Sequence, residues 1–286
     1  MSRIAYVNGV YRRHTEASVH IEDRGYQFGD GVYEVCEIRD GALIDEAPHL
    51  ARLERSLAAL RIAAPLSLAA LKVVMREIVA RNHVRDGLVY IQITRGVAPR
   101  DHGFPAHSRA SLVVTAKAAD RRKGDANAAL GVKIITLSDE RWRRPEIKSL
   151  QLLPNVLAKQ TAREQGAYEA WLVDGEGRIT EGSSTNAWIV TADGALVTRQ
   201  ADRAILKGVT RATLLASLAE QGLRVEERPF TLDETYAARE AFLTSAGNSV
   251  MPVVMVNDRA IGNGKPGAIA SALREKFHRF AEISSV

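Results

Sequence analysis

Apolar positions along this chain recur with two periods, and the alternation between them maps the elements. The opening YVNGVYRR sets an Asn-Gly pair between two short apolar and aromatic runs, the strongest short-range signal for a β-hairpin. The run VYEVCEIRD alternates in and out, which predicts a strand. Leu50, Leu53, Leu57 and Leu60 then repeat at three and four residues, the spacing of one helical face. After Pro65, Ser67 can cap a second helix that carries Leu71, Met75 and Ile78 on one side. LVYIQITRG and SLVVTA are apolar enough to lie within a sheet. Further along, the pattern predicts a strand at VKIITL, an Arg-rich loop, a helix through NVLAKQTAREQ and strands around DGEGRIT and TNAWIV, the second followed by a turn at Asp193 and Gly194. Helices from Thr210 to about Gln221 and from about Gly267 to Phe280 complete a mixed α/β order.

A chain of 286 residues exceeds the usual size of one hydrophobic core, so two domains are expected. The stretch AADRRKGDANAA loses its periodicity and gathers charge, Gly and Asn, which reads as a connector. The expected division is a smaller N-terminal α/β domain over residues 1–118, a linker over 119–130 and a larger C-terminal domain over 131–286. No internal repeat or low-complexity tract interrupts it.

Composition narrows the class. No segment approaches the ~18 uninterrupted apolar residues of a membrane span, and MSRIAYVNGVYRR lacks the apolar block of a secretory signal, so a cytoplasmic protein without a membrane partner is expected. Cys36 is the one cysteine and reads as a small buried strand residue. It and seven scattered histidines offer no zinc spacing, so no metal is expected. The net charge of +5 arises from 39 basic and 34 acidic residues in mixed-sign segments. Arg121, Arg122 and Lys123, like Arg141, Arg143 and Arg144, read as solvated loop charges rather than a nucleic-acid track. A mild cationic bias does suit anionic substrates and an anionic cofactor.

Several side chains could carry chemistry. EDRGYQFGDGVYEV packs glycines and aromatics between charges, so Tyr33 reads either as a core aromatic or as the wall of a site. Lys159 lies among polar helix residues and reads as solvated. Lys148 is flanked by Ile147, Leu150, Leu152 and Leu153, surroundings that would favour a neutral, nucleophilic amine, although taken alone the segment reads first as a snorkelling surface lysine. Glu181, at the end of a strand, could accept a strong hydrogen bond from a protonated ring nitrogen, or simply occupy a turn. The glycine before Val209 and Thr210 opens an amphipathic helix whose free N–H groups suit an anion. Arg100 and His102, in TRGVAPRDHGFPAH, could grip a carboxylate or belong to a mobile basic loop. GNGKPG at 262–267 fits the glycine pattern of dinucleotide-binding turns but lies too near the end for the strand and acidic residue that motif requires. A nucleotide-dependent reductase or binding protein built on it is therefore the weaker reading.

Taken in order, EDRGYQFGDGVYEV, HLARLERS, TRGVAPRDHGFP, IKSLQLLPNVLAKQ, ITEGSSTN and ILKGVTR resemble the motifs of the fold-type IV, branched-chain-like pyridoxal-phosphate aminotransferases, and among them the bacterial D-amino acid aminotransferases most closely. The resemblance spans nearly the whole chain. It implies a two-domain homodimer with active sites at the subunit interface, pyridoxal 5′-phosphate as cofactor, and ping-pong transfer of an amino group from a D-amino acid to a 2-oxo acid. By the same resemblance Lys148 is the Schiff-base and proton-transfer lysine, and Glu181 keeps the pyridine nitrogen protonated. Arg52 and the amides of Val209 and Thr210 hold the phosphate, while Tyr33, Arg100 and His102 hold the substrate carboxylate, the last two from the partner subunit. The alternatives within the family are a branched-chain L-amino acid or R-amine transaminase and an aminodeoxychorismate lyase. One departure stands out: after Thr244 and Ser245 the chain reads Ala246, Gly247 and Asn248 where relatives commonly carry hydroxyl residues.

Overall fold

Asn8 and Gly9 both adopt positive φ, 48° and 96°. This is the backbone that a two-residue hairpin turn demands, because it matches the twist of the flanking strands. They join β1 (Ile4–Val7) to β2 (Val10–Arg13) in a computed structural model that describes residues 3–286. A short helix α1 (Arg24–Phe28) leads into β3 (Gly31–Arg39) and β4 (Ala42–Ile44). Helices α2 (Glu46–Leu60) and α3 (Leu68–Arg81) follow, the latter capped by the Ser67 side chain, and then β5 (Gly87–Thr94) and β6 (Ser111–Ala118). The leucine stripe of α2 and Leu71, Met75 and Ile78 of α3 pack with Val32, Cys36, Val89, Ile91 and Val114 of the strands into one core. A strand buried on one face needs such a cover, and the helical stripes supply it.

The chain divides into two compact units, the first formed by residues 1–120, 147–151 and 282–286, the second by 121–146 and 152–281. The expected linker at 119–130 is instead largely helical, α4 (Arg121–Leu130), and belongs to the second unit. Ala128 is its one buried residue. A helix that buries so little has no apolar stripe from which its period could be read. Nor does the second unit keep all of residues 131–286. Segment 147–151 runs antiparallel along the start of β3: the Tyr33 amide donates to the Lys148 carbonyl at 3.0 Å and the Leu150 amide to the Gly31 carbonyl at 3.0 Å. The chain end forms β17 (Ile283–Ser285) on β4. The sheet of the first unit has 7 strands in the order β17-β4-β3-β5-β6-β1-β2, every pair antiparallel.

The second unit continues with β7 (Val132–Ser138), α5 (Leu153–Glu164), β8 (Glu169–Val173), β9 (Arg178–Gly182), β10 (Asn186–Val190) and β11 (Leu196–Thr198). It adds α6 (Val209–Glu220), β12 (Val225–Glu227), β13 (Phe230–Thr231), α7 (Leu232–Ala237), β14 (Glu240–Ser245), β15 (Ser249–Val256), β16 (Arg259–Ala260) and α8 (Ala268–Phe280). These strands form a 10-stranded mixed sheet in which β7 runs parallel to both β8 and β15. Its middle strands are buried along nearly their whole length, as covered sheets require. On one side Trp188 and Phe242 stack at 5.4 Å under Leu214 and Leu218 of α6 and Leu273 of α8.

Candidate active site

In the first unit, the central polar feature is a buried carboxylate. Glu34 on β3 has no exposed side-chain surface and faces the inner side of α2. Arg52 grips it with Nε at 2.9 Å and one terminal nitrogen at 2.6 Å, while Nδ1 of His49 lies 3.0 Å away. Burial pushes the Glu34 carboxyl up, but the Arg52 charge and the hydrogen bonds from His49 and Arg52 outweigh it, holding the group far below the usual carboxylate range. Arg52, expected to bind phosphate, is thus aimed by Glu34 through two of its nitrogens.

One turn further along α2, Ser56 accepts the Lys148 amide at 3.3 Å. With its carbonyl also taken by Tyr33, the Lys148 backbone is fixed from both sides. Its amine lies 4.2 Å from the centre of the Tyr33 ring and makes no hydrogen bond or ion pair among the described residues. A pinned backbone carrying an uncommitted amine is the arrangement a nucleophilic or proton-transferring lysine requires. Lys159 behaves oppositely and is not simply solvated: its amine donates to the Tyr168 carbonyl and lies 3.6 Å from buried Glu169. Tyr33 is half-buried and stacks on Tyr90 at 5.8 Å, and the Tyr90 hydroxyl is pushed up to about 12 by burial and by Tyr33.

Arg100 and His102 sit in the irregular connection between β5 and β6, on either side of Asp101 and both against Phe28. The Arg100 guanidinium lies 4.7 Å and the His102 ring 5.5 Å from the Phe28 ring. Among the described residues neither makes a hydrogen bond, ion pair or ring contact with Tyr33 or Lys148. One chain therefore joins Tyr33 to Lys148 but not to the other two members of the expected carboxylate trap.

In the second unit, Glu181 is the penultimate residue of β9 and is surrounded by donors. It accepts from Arg141, from the Leu206 amide at 3.0 Å and from Asn186 Nδ2 at 2.9 Å. Arg141, read from sequence as a solvated loop charge, has 6% of its side chain exposed and also binds Asp139 at 2.7 Å and the Ala204 carbonyl at 3.1 Å. Burial lowers the Arg141 value and raises that of Asp139, but their mutual pairing, with Glu181 adding to the former, reverses both shifts. A loop arginine carries no periodicity, so no pattern in the sequence could have revealed this role.

Asn186 links that acid to the helix start. Its Nδ2 also donates to the Leu206 carbonyl at 3.0 Å, and its Oδ1 would lie 2.0 Å from a Cβ placed on Gly208. Glycine at 208 is therefore what allows Asn186 and the first turn of α6 to approach. Gly208 caps α6 with no side-chain bond, leaving the amides of Val209 and Thr210 at an uncapped helix start where anions are favoured. Near the departure noted above, Asn248 donates to Ser245 Oγ at 3.0 Å and accepts from the Tyr168 hydroxyl at 2.6 Å, so its side chain ties the turn internally. Glu34, His49, Arg141, Asp139 and Asn186 are polar partners that no local pattern in the sequence marks.

A family model described as amino-transferase class IV matches residues 31–256. The chain is 43% identical to a D-alanine aminotransferase of Bacillus licheniformis over 262 residues, 92% of this chain and 91% of that one. It is 37% identical to a D-alanine aminotransferase of Staphylococcus haemolyticus over 281 residues, 98% of each. Among solved structures, a T.th. branched-chain amino acid aminotransferase with pyridoxamine 5′-phosphate superposes with a TM-score of 0.91 at 26% identity, covering 98% of this chain and 94% of the other. One of Thermoproteus uzoniensis, with norvaline, does so with a TM-score of 0.83 at 24% identity, a likeness of fold alone, covering 99% of each chain.

Proposed function

The chain belongs to the amino-transferase class IV family, and from that premise we propose that it transfers the amino group of a D-amino acid such as D-alanine to a 2-oxo acid such as 2-oxoglutarate or pyruvate, using pyridoxal 5′-phosphate. The observation that carries this reading is the near full-length similarity to D-alanine aminotransferases. The side chains suit the cofactor: an amine without a polar partner, a carboxylate ringed by donors and a helix start without a side-chain cap.

In this reading Lys148 holds the cofactor and moves the proton at the substrate Cα. Its fixed backbone and free amine let it act within a short reach. Glu181, oriented by Arg141, Asn186 and the Leu206 amide, would pair with the ring nitrogen of the cofactor. Arg52 and the amides of Val209 and Thr210 bind the phosphate. Tyr33, Arg100 and His102 bind the α-carboxylate, the arginine through a bidentate fork. The bound cofactor supplies an electron sink for the pair left when Cα loses its proton. The reaction runs as a ping-pong exchange, the first 2-oxo acid leaving before the second arrives.

The active form in this proposal is a homodimer whose Arg100 and His102 serve the partner's site. Exposed apolar side chains support it: Val97 and Phe104 in this connection, and Ile21 and Tyr26 on either side of the Glu22–Asp23 backbone that pairs with Val97 and Ala98, the latter two side chains 76% and 77% exposed, surface that a second copy would cover. The proposed location is the cytoplasm, whose reducing conditions suit the lone Cys36 thiol.

A substrate panel tests the reading. D-alanine and D-glutamate with 2-oxoglutarate or pyruvate should turn over far faster than L-leucine or 1-phenylethylamine. The reverse order would assign a branched-chain or amine transaminase instead.

A further inference from the structure

The connection that carries Arg100 and His102 is held from outside by very little. From Pro99 to Ala110 its backbone forms no backbone–backbone hydrogen bond among the described residues. Among those residues, the hydrogen bonds reaching 100–104 from elsewhere come from one side chain. Arg24, on α1, donates Nη1 to the Asp101 carbonyl at 2.6 Å and Nη2 to the His102 carbonyl at 3.4 Å. Its remaining nitrogen, Nε, donates to Asp30 at 2.8 Å. Arg95 closes the same carboxylate with a fork of 2.7 Å and 2.9 Å, and its guanidinium lies 3.6 Å from the centre of the Phe104 ring, just beyond the loop's tip.

The three side chains Arg24, Arg95 and Asp30 are only 4%, 8% and 12% exposed. Burial pushes the Asp30 carboxyl up, but hydrogen bonds from Arg95 and Arg24 pull it below its usual value, so it stays charged. Two buried cations share one buried anion, and each uses its other face on the loop. Arg95 also donates to the carbonyls of Leu60 and Arg61 at 2.8 Å and 3.0 Å, which anchors the cluster to the end of α2. A planar guanidinium with its Nε locked can present its two terminal nitrogens in only one direction. The chain thus has a rigid bracket aimed at a segment that, among the described residues, has no other hydrogen bond from outside and otherwise makes only ring contacts.

We propose that Arg24, oriented by Asp30 and Arg95, is a positioning residue that sets the Arg100–His102 loop at the height needed to grip the substrate carboxylate. This rests on the carboxylate role given to Arg100 above. Arg24 does not touch substrate in this scheme. It fixes the backbone on either side of Asp101, and so fixes the directions in which Arg100 and His102 leave the chain.

The test uses Arg24→Lys in the holoenzyme. Lysine keeps a positive charge beside Asp30 but carries its three donors on one nitrogen, so it cannot span Asp30 and the Asp101 and His102 carbonyls as the three nitrogens of the guanidinium do. The expected result is a KM for D-alanine raised about ten- to a hundredfold with kcat changed less than about threefold. Amide hydrogen exchange over residues 100–104 should quicken. Joined to Arg100→Ala, the substitution should add nothing to the KM of Arg100→Ala alone, because both act through the same contact. A wild-type KM, or full additivity with Arg100→Ala, overturns the proposal. Should Arg24→Lys fail to fold, Asp30→Asn keeps the side-chain shape but weakens the hold on Arg24 Nε and should shift KM in the same direction; an unchanged KM there overturns it equally. If Arg100→Ala itself leaves KM unchanged, the carboxylate reading falls, whereas a raised KM for Arg100→Ala beside a normal Arg24→Lys sinks the bracket alone.

Discussion

Replacing Arg141 with methionine would leave Asp139 and Glu181 buried without their shared cation. Both carboxylates are nearly enclosed, at 13% and 7% side-chain exposure. Methionine keeps most of the volume, so the change is chiefly electrostatic. Breaking a buried pair by removing one partner costs ~3–5 kcal/mol, because the orphaned charge keeps its desolvation penalty. The deficit has a definite pH dependence. In the native protein Asp139 lies below its usual 3.8, since pairing with Arg141 outweighs burial, so it contributes stability that is present above that value and lost as the pH falls through the lower folded one. Without the guanidinium only the Thr180 hydroxyl and the amide of residue 141 oppose burial, so the folded value moves up and Asp139 contributes less stability above 3.8. The difference between the two proteins should therefore be largest near neutrality and shrink as the pH falls below about 4. Urea unfolding followed by tryptophan fluorescence reads this directly, because Trp171 and Trp188 are both fully buried in the same unit. Adding Asp139→Asn should recover roughly 1–2 kcal/mol by removing one orphaned charge. A deficit below about 1 kcal/mol at pH 7, or one that grows on acidification, would refute the reasoning.

Gly208→Ala should weaken pyridoxal phosphate binding by roughly tenfold, since the new Cβ would fall 2.0 Å from Asn186 Oδ1 and push it from Glu181 and the start of α6; titration by visible absorption checks this, and unchanged affinity counts against the linkage. Glu34→Gln should cost ~3 kcal/mol of stability at pH 7. Because the native Glu34 value is depressed, that difference should fade as the pH drops below its usual 4.5, and acid unfolding curves that stay parallel would contradict it. Lys148→Ala should lower kcat by about 10²–10⁴-fold with an unchanged far-ultraviolet circular dichroism spectrum, and a variant as active as the parent would exclude the lysine from proton transfer.

The sequence by itself determined the elements whose burial repeats: the Asn8–Gly9 hairpin, the leucine stripe of α2, the Ser67 cap of α3 and the strands beside Cys36 and Ile91. Each follows from a period of two or near 3.6, or from a turn backbone that few residues adopt. It also marked Lys148, Glu181 and the glycine before Val209 as candidate chemistry, though not what surrounds them. Only the tertiary structure decided that α4 is a helix, for an exposed helix needs no stripe. It alone decided that residues 147–151 and 282–286 return to the first unit. The partners of the charged groups were equally hidden, because Glu34 meets Arg52 across 18 residues and Glu181 meets Arg141 across 40. Periodicity records which side of an element faces inward, whereas the pairing of charges depends on how separate elements are set in register, and no local pattern carries that distance.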